Sequence, residues 1–222
     1  MKLVHPDIEQ HIDFSAGEVW QLCIENPTYL YALATSLVIQ MGAGEGDFVL
    51  SDKGKEISLP ATAQLVLDPF TLNPTASRTV TNKLLAALRA VAFDAEHLQQ
   101  TTEIVSAVQR YGYDLLDALA YDFETTVSEG FAVDDVLKAL KLQIELPDGD
   151  LPSRLVEYFA VLRELAGTRL FILLNFSAWL DANDTTRLVR QVAYDGHCLL
   201  FIDRNRLSDI PAIVITEENC EL

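Results

Sequence analysis

Positive charge is scarce in this chain. Sixteen lysines and arginines stand against 33 acids among 222 residues, a formal charge of −17. Affinity for nucleic acid comes largely from Lys and Arg displacing counterions, so a single copy is poorly suited to bind it. Cysteine is also sparse: Cys23, Cys198 and Cys220 are odd in number and far apart. That excludes a disulfide framework and reads Cys23 and Cys198 as small buried thiols of a reducing cytoplasm. No apolar run approaches the ~20 residues of a membrane span, so no membrane partner is expected. Met1-Lys2-Leu3-Val4-His5-Pro6 has no basic segment leading into an apolar stretch, so a secretory leader is not expected. His5, His11, His97 and His197 show no metal-ligand spacing on a shared helix face, and Asn175-Phe176-Ser177-Ala178 lacks the glycines of a hydrolase elbow. Enzymatic chemistry finds no support in these residues, and no catalytic residue is assigned.

A further lack is local. Val19-Trp20-Gln21-Leu22-Cys23-Ile24 reads as a buried strand and Tyr29 to Gln40 as the helix after it. A phosphate-cradling turn between them would need glycines and a Lys-Ser/Thr pair. The turn is instead Glu25-Asn26-Pro27-Thr28. Glu25 repels phosphate, Pro27 suits the first helical position, and Asn26 is a natural N-cap. Gly42, Gly44 and Gly46 resemble a phosphate loop in composition only, because they follow a helix and precede a strand. Asp68 and Asp203 each end an apolar strand, where nucleotide hydrolases place a magnesium-binding acid. Without a phosphate loop that role has no substrate, and Asp68 before Pro69 is read as shaping the strand exit.

The elements present predict an α/β head interrupted by helices. Strands are expected at Ile12–Phe14, Val19–Ile24, Ala63–Leu67, Leu170–Leu174, Cys198–Ile202 and Ala212–Ile215, with a hairpin of 48–51 and 56–59. Continuous apolar strands alternating with helices imply a largely parallel sheet covered on both faces. From Arg78 to about Glu124 the apolar period is helical. Thr125–Val127 and Leu142–Glu145 are expected to pair as a small hairpin around a helix at 133–140, with further helices at 155–165 and 184–194. The expected domains are a discontinuous α/β head, residues 1–90 and 167–222, and an inserted helical leg, residues 91–166.

Two groups of side chains carry chemistry in this pattern. Residues 91–164 hold 15 of the acids and five of the bases. Within them Asp122, Glu124, Glu129, Asp134 and Asp135 crowd an expected hinge. Calcium takes six to eight oxygens, which such a cluster can supply, although a solvated acidic face has the same spacing. The bases gather in small groups: Lys53 and Lys55 at a hairpin tip, Lys138 and Lys141 at a helix end, and Arg78, Lys83 and Arg89 along one helix. Ordinary surface charge accounts for any one of them alone.

The order of several motifs resembles a known family. Cys23-Ile24-Glu25-Asn26 is followed by Gly46-Asp47-Phe48-Val49-Leu50-Ser51-Asp52 and Leu67-Asp68-Pro69-Phe70. Lys138-Ala139-Leu140-Lys141-Leu142 comes next, and then Leu170-Phe171-Ile172-Leu173-Leu174-Asn175. From about Ile8 to Ile215 the chain is similar to the Csn-two family of CRISPR-associated proteins from type II-A systems. The resemblance implies a degenerate P-loop-NTPase-like head with an inserted helical leg, a homotetrameric ring and bound calcium. It implies non-enzymatic, sequence-nonspecific binding of double-stranded DNA ends in the ring's channel, without nucleotide. The expected role is spacer acquisition in the cytoplasm, alongside the integrase proteins and the RNA-guided nuclease of the same system. Carried onto this sequence, it implies Glu129 and Asp134, then Asp122 and Glu124, as calcium ligands. Lys138 and Lys141, then Lys53 and Lys55, become the DNA contacts. Fourfold repetition would answer the charge objection by pooling a few bases from each copy. The alternatives are an ATPase or phosphotransferase with an atypical phosphate site, and a protein-binding adaptor that uses the acidic arm.

Overall fold

The computed structural model describes residues 1–43, 45–120, 125–128, 130–207 and 209–222. The chain divides into two compact units, Met1–Asn73 with Leu146–Leu222, and Pro74–Glu145. The first unit contains β1 (Lys2–His5), β2 (Ile8–Asp13), β3 (Val19–Ile24), α1 (Pro27–Ala43), β4 (Val49–Asp52), β5 (Lys55–Ile57), α2 (Leu59–Thr62) and β6 (Ala63–Val66). The second holds α3 (Arg78–Ala92), α4 (Leu98–Asp117) and α5 (Val133–Ala139). The first resumes with α6 (Leu151–Ala166), β7 (Leu170–Leu174), α7 (Ala182–Asp195), β8 (Cys198–Asp203) and β9 (Ala212–Ile215).

The five apolar strands form one parallel sheet in the order β6-β7-β8-β3-β9. Alternate residues leave opposite faces of a strand, and both faces are covered here. Leu22, Ile24, Leu170, Ile172, Leu200 and Ile202 join one core with Leu33 and Leu37 of α1 and with Leu3, Phe48 and Leu50. On the other face Phe171 stacks on Phe159 of α6 at 4.1 Å between centroids, and Leu188 and Val192 of α7 are fully buried. The antiparallel sheet β2-β1-β4-β5 supplies Leu3, Ile12 and Leu50 to the first core.

Three differences from the sequence reading are physical. Of the β1–β2 hairpin the sequence reading holds only the end of β2, in the strand expected at Ile12–Phe14; Lys2 to His5 is too short and mixed to stand out from its pattern alone. The expected hairpin of 125–127 with 142–145 is absent: the described residues there carry no strand. A lone two-stranded ribbon is marginal without a face to pack on. The unit boundaries fall at 73/74 and 145/146 rather than at 90 and 167. α3 packs on α5 and so belongs to the second unit, whereas α6 packs on α7 and belongs to the first. An amphipathic period fixes which side of a helix is buried but not which neighbour buries it.

Candidate functional site

The turn that would hold phosphate is closed by its own side chain. The Oδ1 of Asn26 accepts the backbone N–H of Thr28 at 3.0 Å and of Tyr29 at 3.2 Å, and its carbonyl accepts Leu30 N–H at 3.0 Å. Pro27 has no N–H to offer. The first four backbone positions of α1 therefore present no free donor, and the donors are what make a helix N-terminus an anion site. The Asn26 amide also donates at 3.1 Å to the Glu217 carbonyl and to Asn219 Oδ1, tying down the segment after β9. The adjoining cavity, about 160 Å³, is lined by Asp7, Tyr29, Ile215, Asn219 and Glu221, two of them carboxylates. Burial, Asp7 and Glu221 together raise the Tyr29 phenol above its ordinary range.

One strand away stands a buried acid. Asp203 ends β8 opposite Cys23 and is fully buried. Its Oδ1 accepts Ser177 N–H at 3.0 Å, while its Oδ2 and the Ser177 Oγ have no hydrogen-bond partner among the described residues. Burial pushes its carboxyl up to about 6, and the hydrogen bond from Ser177 N–H opposes the shift. Asp203 thus pins the 3₁₀ turn Phe176–Ala178 that follows β7. Asp68 has a comparable local role: its Oδ1 accepts Phe70 N–H at 2.8 Å and caps the turn Pro69–Thr71.

The sequence-nominated bases fall in two places. Lys53 and Gly54 both have positive φ, 50° and 76°, and form the tight turn between β4 and β5 that holds Lys55 beside it. The cross-strand register sets Lys2 opposite Ser51 on β4. A surface depression of about 460 Å³ is lined by Lys2, Lys53, Ser15, Ser51 and Asp13 among others. Asp52, in the same strand, pairs with Arg169 at 2.9 Å, and that guanidinium holds its carboxyl below the usual range. The first unit therefore gathers Lys2, Lys53 and Lys55 on one sheet, where sequence spacing had linked only the last two. In the second unit Lys138 lies in the last turn of α5, 3.7 Å from Asp135, and Lys141 follows with φ 50°.

Of the four nominated calcium ligands, Asp122, Glu124 and Glu129 lie outside the described residues. Asp134 faces Arg89 at 3.2 Å, and Asp135 accepts the Ala132 N–H at 3.1 Å. Among the described residues no group of three or more His, Cys, Asp or Glu side chains could hold a metal ion. Asp134 by itself is one ligand of the six to eight that calcium takes. Arg89, one of the three bases the sequence groups along one helix, is occupied by that pair and also lies 6.0 Å from the Phe93 ring centroid.

One surface feature has no counterpart in the site residues nominated above. α4 is twenty residues long and none of them is buried. Ile104, Val108, Tyr111 and Leu115 recur at four, three and four residues and are 44% to 63% exposed. Their spacing places them on one side of the helix. The sequence shows the periodicity; the fold adds that, among the described residues of the second unit, these four side chains stay exposed.

Comparison with known proteins gives two further findings. Residues 40–219 match the family model described as CRISPR-associated protein (Cas_Csn2). Stu0660 of Streptococcus thermophilus, solved by crystallography, is similar in structure with a TM-score of 0.54 at 12% identity, covering 91% of this chain and 68% of that one. CbiO1 from Clostridium perfringens, part of the ABC transporter complex cbiONQ, overlaps with a TM-score of 0.41 at 14% identity, covering 94% of this chain and 77% of that one. At these identities the likeness to Stu0660 concerns the fold alone, and the weaker one carries no argument. No curated protein matches in sequence.

Proposed function

The chain belongs to the Csn2 family of CRISPR-associated proteins of type II-A systems, and from that premise we propose that it is a passive collar on linear double-stranded DNA. In this reading four copies close into a ring, bind the duplex without reading its sequence, and serve spacer acquisition in the cytoplasm. The partners are the integrase proteins and the RNA-guided nuclease of the same system, and calcium held by the 122–134 segment steadies the assembly.

The observation that carries the reading is the uncovered face of α4. Its four large apolar side chains at helical spacing are a surface that association would bury, and association is what an acidic protein needs in order to bind DNA. One copy at −17 offers only small basic groups. Four copies that each neutralise about two phosphates would give a log–log salt slope near −7. Contacts of that kind touch backbone and carry no sequence information. Against the alternative, a nucleotide-dependent ATPase or phosphotransferase, stand the capped amides of α1 and the two carboxylates beside them.

The test is retention on linear duplex against a relaxed closed circle of the same sequence, with calcium and with chelator. The collar reading expects retention on the linear form and little on the circle. Equal retention on both would sink it. Calorimetry with ATP is the companion measurement, and binding in the micromolar range would favour the nucleotide alternative instead.

A further inference from the structure

At the carboxyl ends of β6 and β7, on the first unit, an aromatic pair stands open to solvent. Phe70 is 71% exposed and Trp179 is 51% exposed. Their ring centroids are 5.1 Å apart at an interplanar angle of 84°. Leu67, just before the turn that carries Phe70, is half exposed as well. Exposed single hydrophobics need no explanation, but two large rings held edge to face on neighbouring turns form a shaped surface.

Both turns are rigidly held. Asp68 caps the turn of Phe70 through the 2.8 Å bond to its N–H. The turn that ends at Trp179 is pinned by the buried Asp203 through Ser177 N–H, by Phe176, which is fully buried, and by Trp179 N–H donating to the Phe176 carbonyl at 2.9 Å. Leu180, the next residue, is buried. The carboxyl end of a parallel sheet is also where α/β proteins place their ligands. The residues beside the rings are acids: Asp68 lies two positions before Phe70, and Asp181 lies two positions after Trp179. Asp68 caps the turn of Phe70 and is partly exposed, and Asp181 caps α7 and is exposed.

We propose that Phe70 and Trp179, with Asp68 and Asp181 beside them, form a docking platform for an arginine- or lysine-bearing segment of a protein partner. A cation is drawn to the face of an aromatic ring, most strongly to indole, and the adjoining carboxylates add charge attraction. Chemistry decides between this occupant and nucleic acid. Platforms that stack bases pair their aromatic rings with basic grooves that follow the phosphates, and here the neighbours of the rings would repel phosphate. The chain's overall acidity works in the same direction, steering basic partners toward it. The platform is independent of the DNA reading and does not require the ring.

The test uses the full chain at physiological salt and a dye-labelled hexapeptide containing three arginines, followed by fluorescence anisotropy. The same peptide with citrulline in place of arginine keeps the side chain's size and planar shape, removes the charge and turns one nitrogen donor into a carbonyl acceptor. Binding of the arginine peptide should weaken at least fivefold in Phe70→Ala and in Trp179→Leu, and about twofold in Asp68→Asn. The citrulline peptide should bind wild type and variants equally weakly. Both rings are exposed, so the variants should fold, which thermal melting checks. Unchanged arginine-peptide affinity in both ring variants would mean only general attraction to an acidic surface and would overturn the platform. So would equal binding of the citrulline peptide, tighter binding of a labelled single-stranded oligonucleotide that depends on Trp179, or loss of self-association in the ring variants with no change in peptide affinity.

Discussion

Asn26 illustrates how much one residue can decide. A single amide satisfies the first-turn N–H groups of Thr28 and Tyr29 and reaches across to the Glu217 carbonyl. Replacing it with Ala removes an N-cap, so Asn26→Ala should lose about 1 kcal/mol of stability in a denaturant melt. The same variant should still fail to bind ATP by calorimetry, because Glu25, Asp7 and Glu221 remain beside the bared amides. Asp203 makes a pH-dependent prediction. Its folded pKa, about 6, lies above the ordinary aspartate value of 3.8. The folded state therefore holds the proton more tightly, and the stability this group contributes is complete below pH 3.8 and lost as pH rises through about 6. Above that, the buried charge costs on the order of 3 kcal/mol. Asp203→Asn keeps an acceptor for Ser177 N–H and offers its amide to the unpartnered Ser177 Oγ. It should raise the melting temperature at pH 8 and give no gain at pH 3.5. Equal effects at both pH values would place the cost in packing rather than in ionisation.

At the scale of elements, α4 is the helix whose sequence and environment disagree most. Its apolar positions follow a helical period, yet none of its residues is buried in the monomer. Burying four such side chains by association removes enough apolar surface to contribute several kcal/mol per interface at about 25 cal/mol per Å². Val108→Glu with Leu115→Glu should therefore reduce the mass found by light scattering while leaving the circular dichroism spectrum and melting of the isolated chain little changed. A full-sized oligomer in that double variant would assign assembly to another surface. The element-level reading of the sequence was most legible in the head. There, long apolar strands can only be central strands of a covered sheet, and β3, β7 and β8 fall where the runs of Val19, Leu170 and Cys198 put them. It was least legible at β1 and at the supposed hairpin of residues 125–127 and 142–145, where short mixed segments take their structure from neighbours that a local pattern does not name.

For the whole molecule the question is where scarce positive charge is concentrated. Lys138 and Lys141 lie within four residues of each other in the second unit, and Lys2, Lys53 and Lys55 share one sheet in the first. Lys138→Glu with Lys141→Glu should weaken linear-duplex binding by tenfold or more and flatten its salt dependence, because each lost phosphate contact removes about one unit of slope in a fourfold assembly's share. Unchanged affinity would direct attention to the first unit's lysines. The candidate metal ligands divide differently. Asp134 is held by Arg89, so Asp134→Asn should cost stability with or without calcium. Glu129→Gln should lower the melting temperature only when calcium is supplied, and an equal loss in chelator would remove Glu129 from the ligand set.

The sequence by itself determined the α/β class, the strands of the central sheet, the loss of a glycine-rich phosphate turn and the N-cap that replaces it. Each of these depends on local chemistry: apolar continuity, backbone donors and the fixed φ of proline. Tertiary structure alone decided that α3 packs with α5 and α6 with α7, that Asp203 is buried, that Phe70 meets Trp179, and that the apolar face of α4 stays exposed among the described residues. These depend on which surfaces meet across long stretches of chain. A periodic pattern states that a face is apolar; the partner that covers it is set by the packing of the whole.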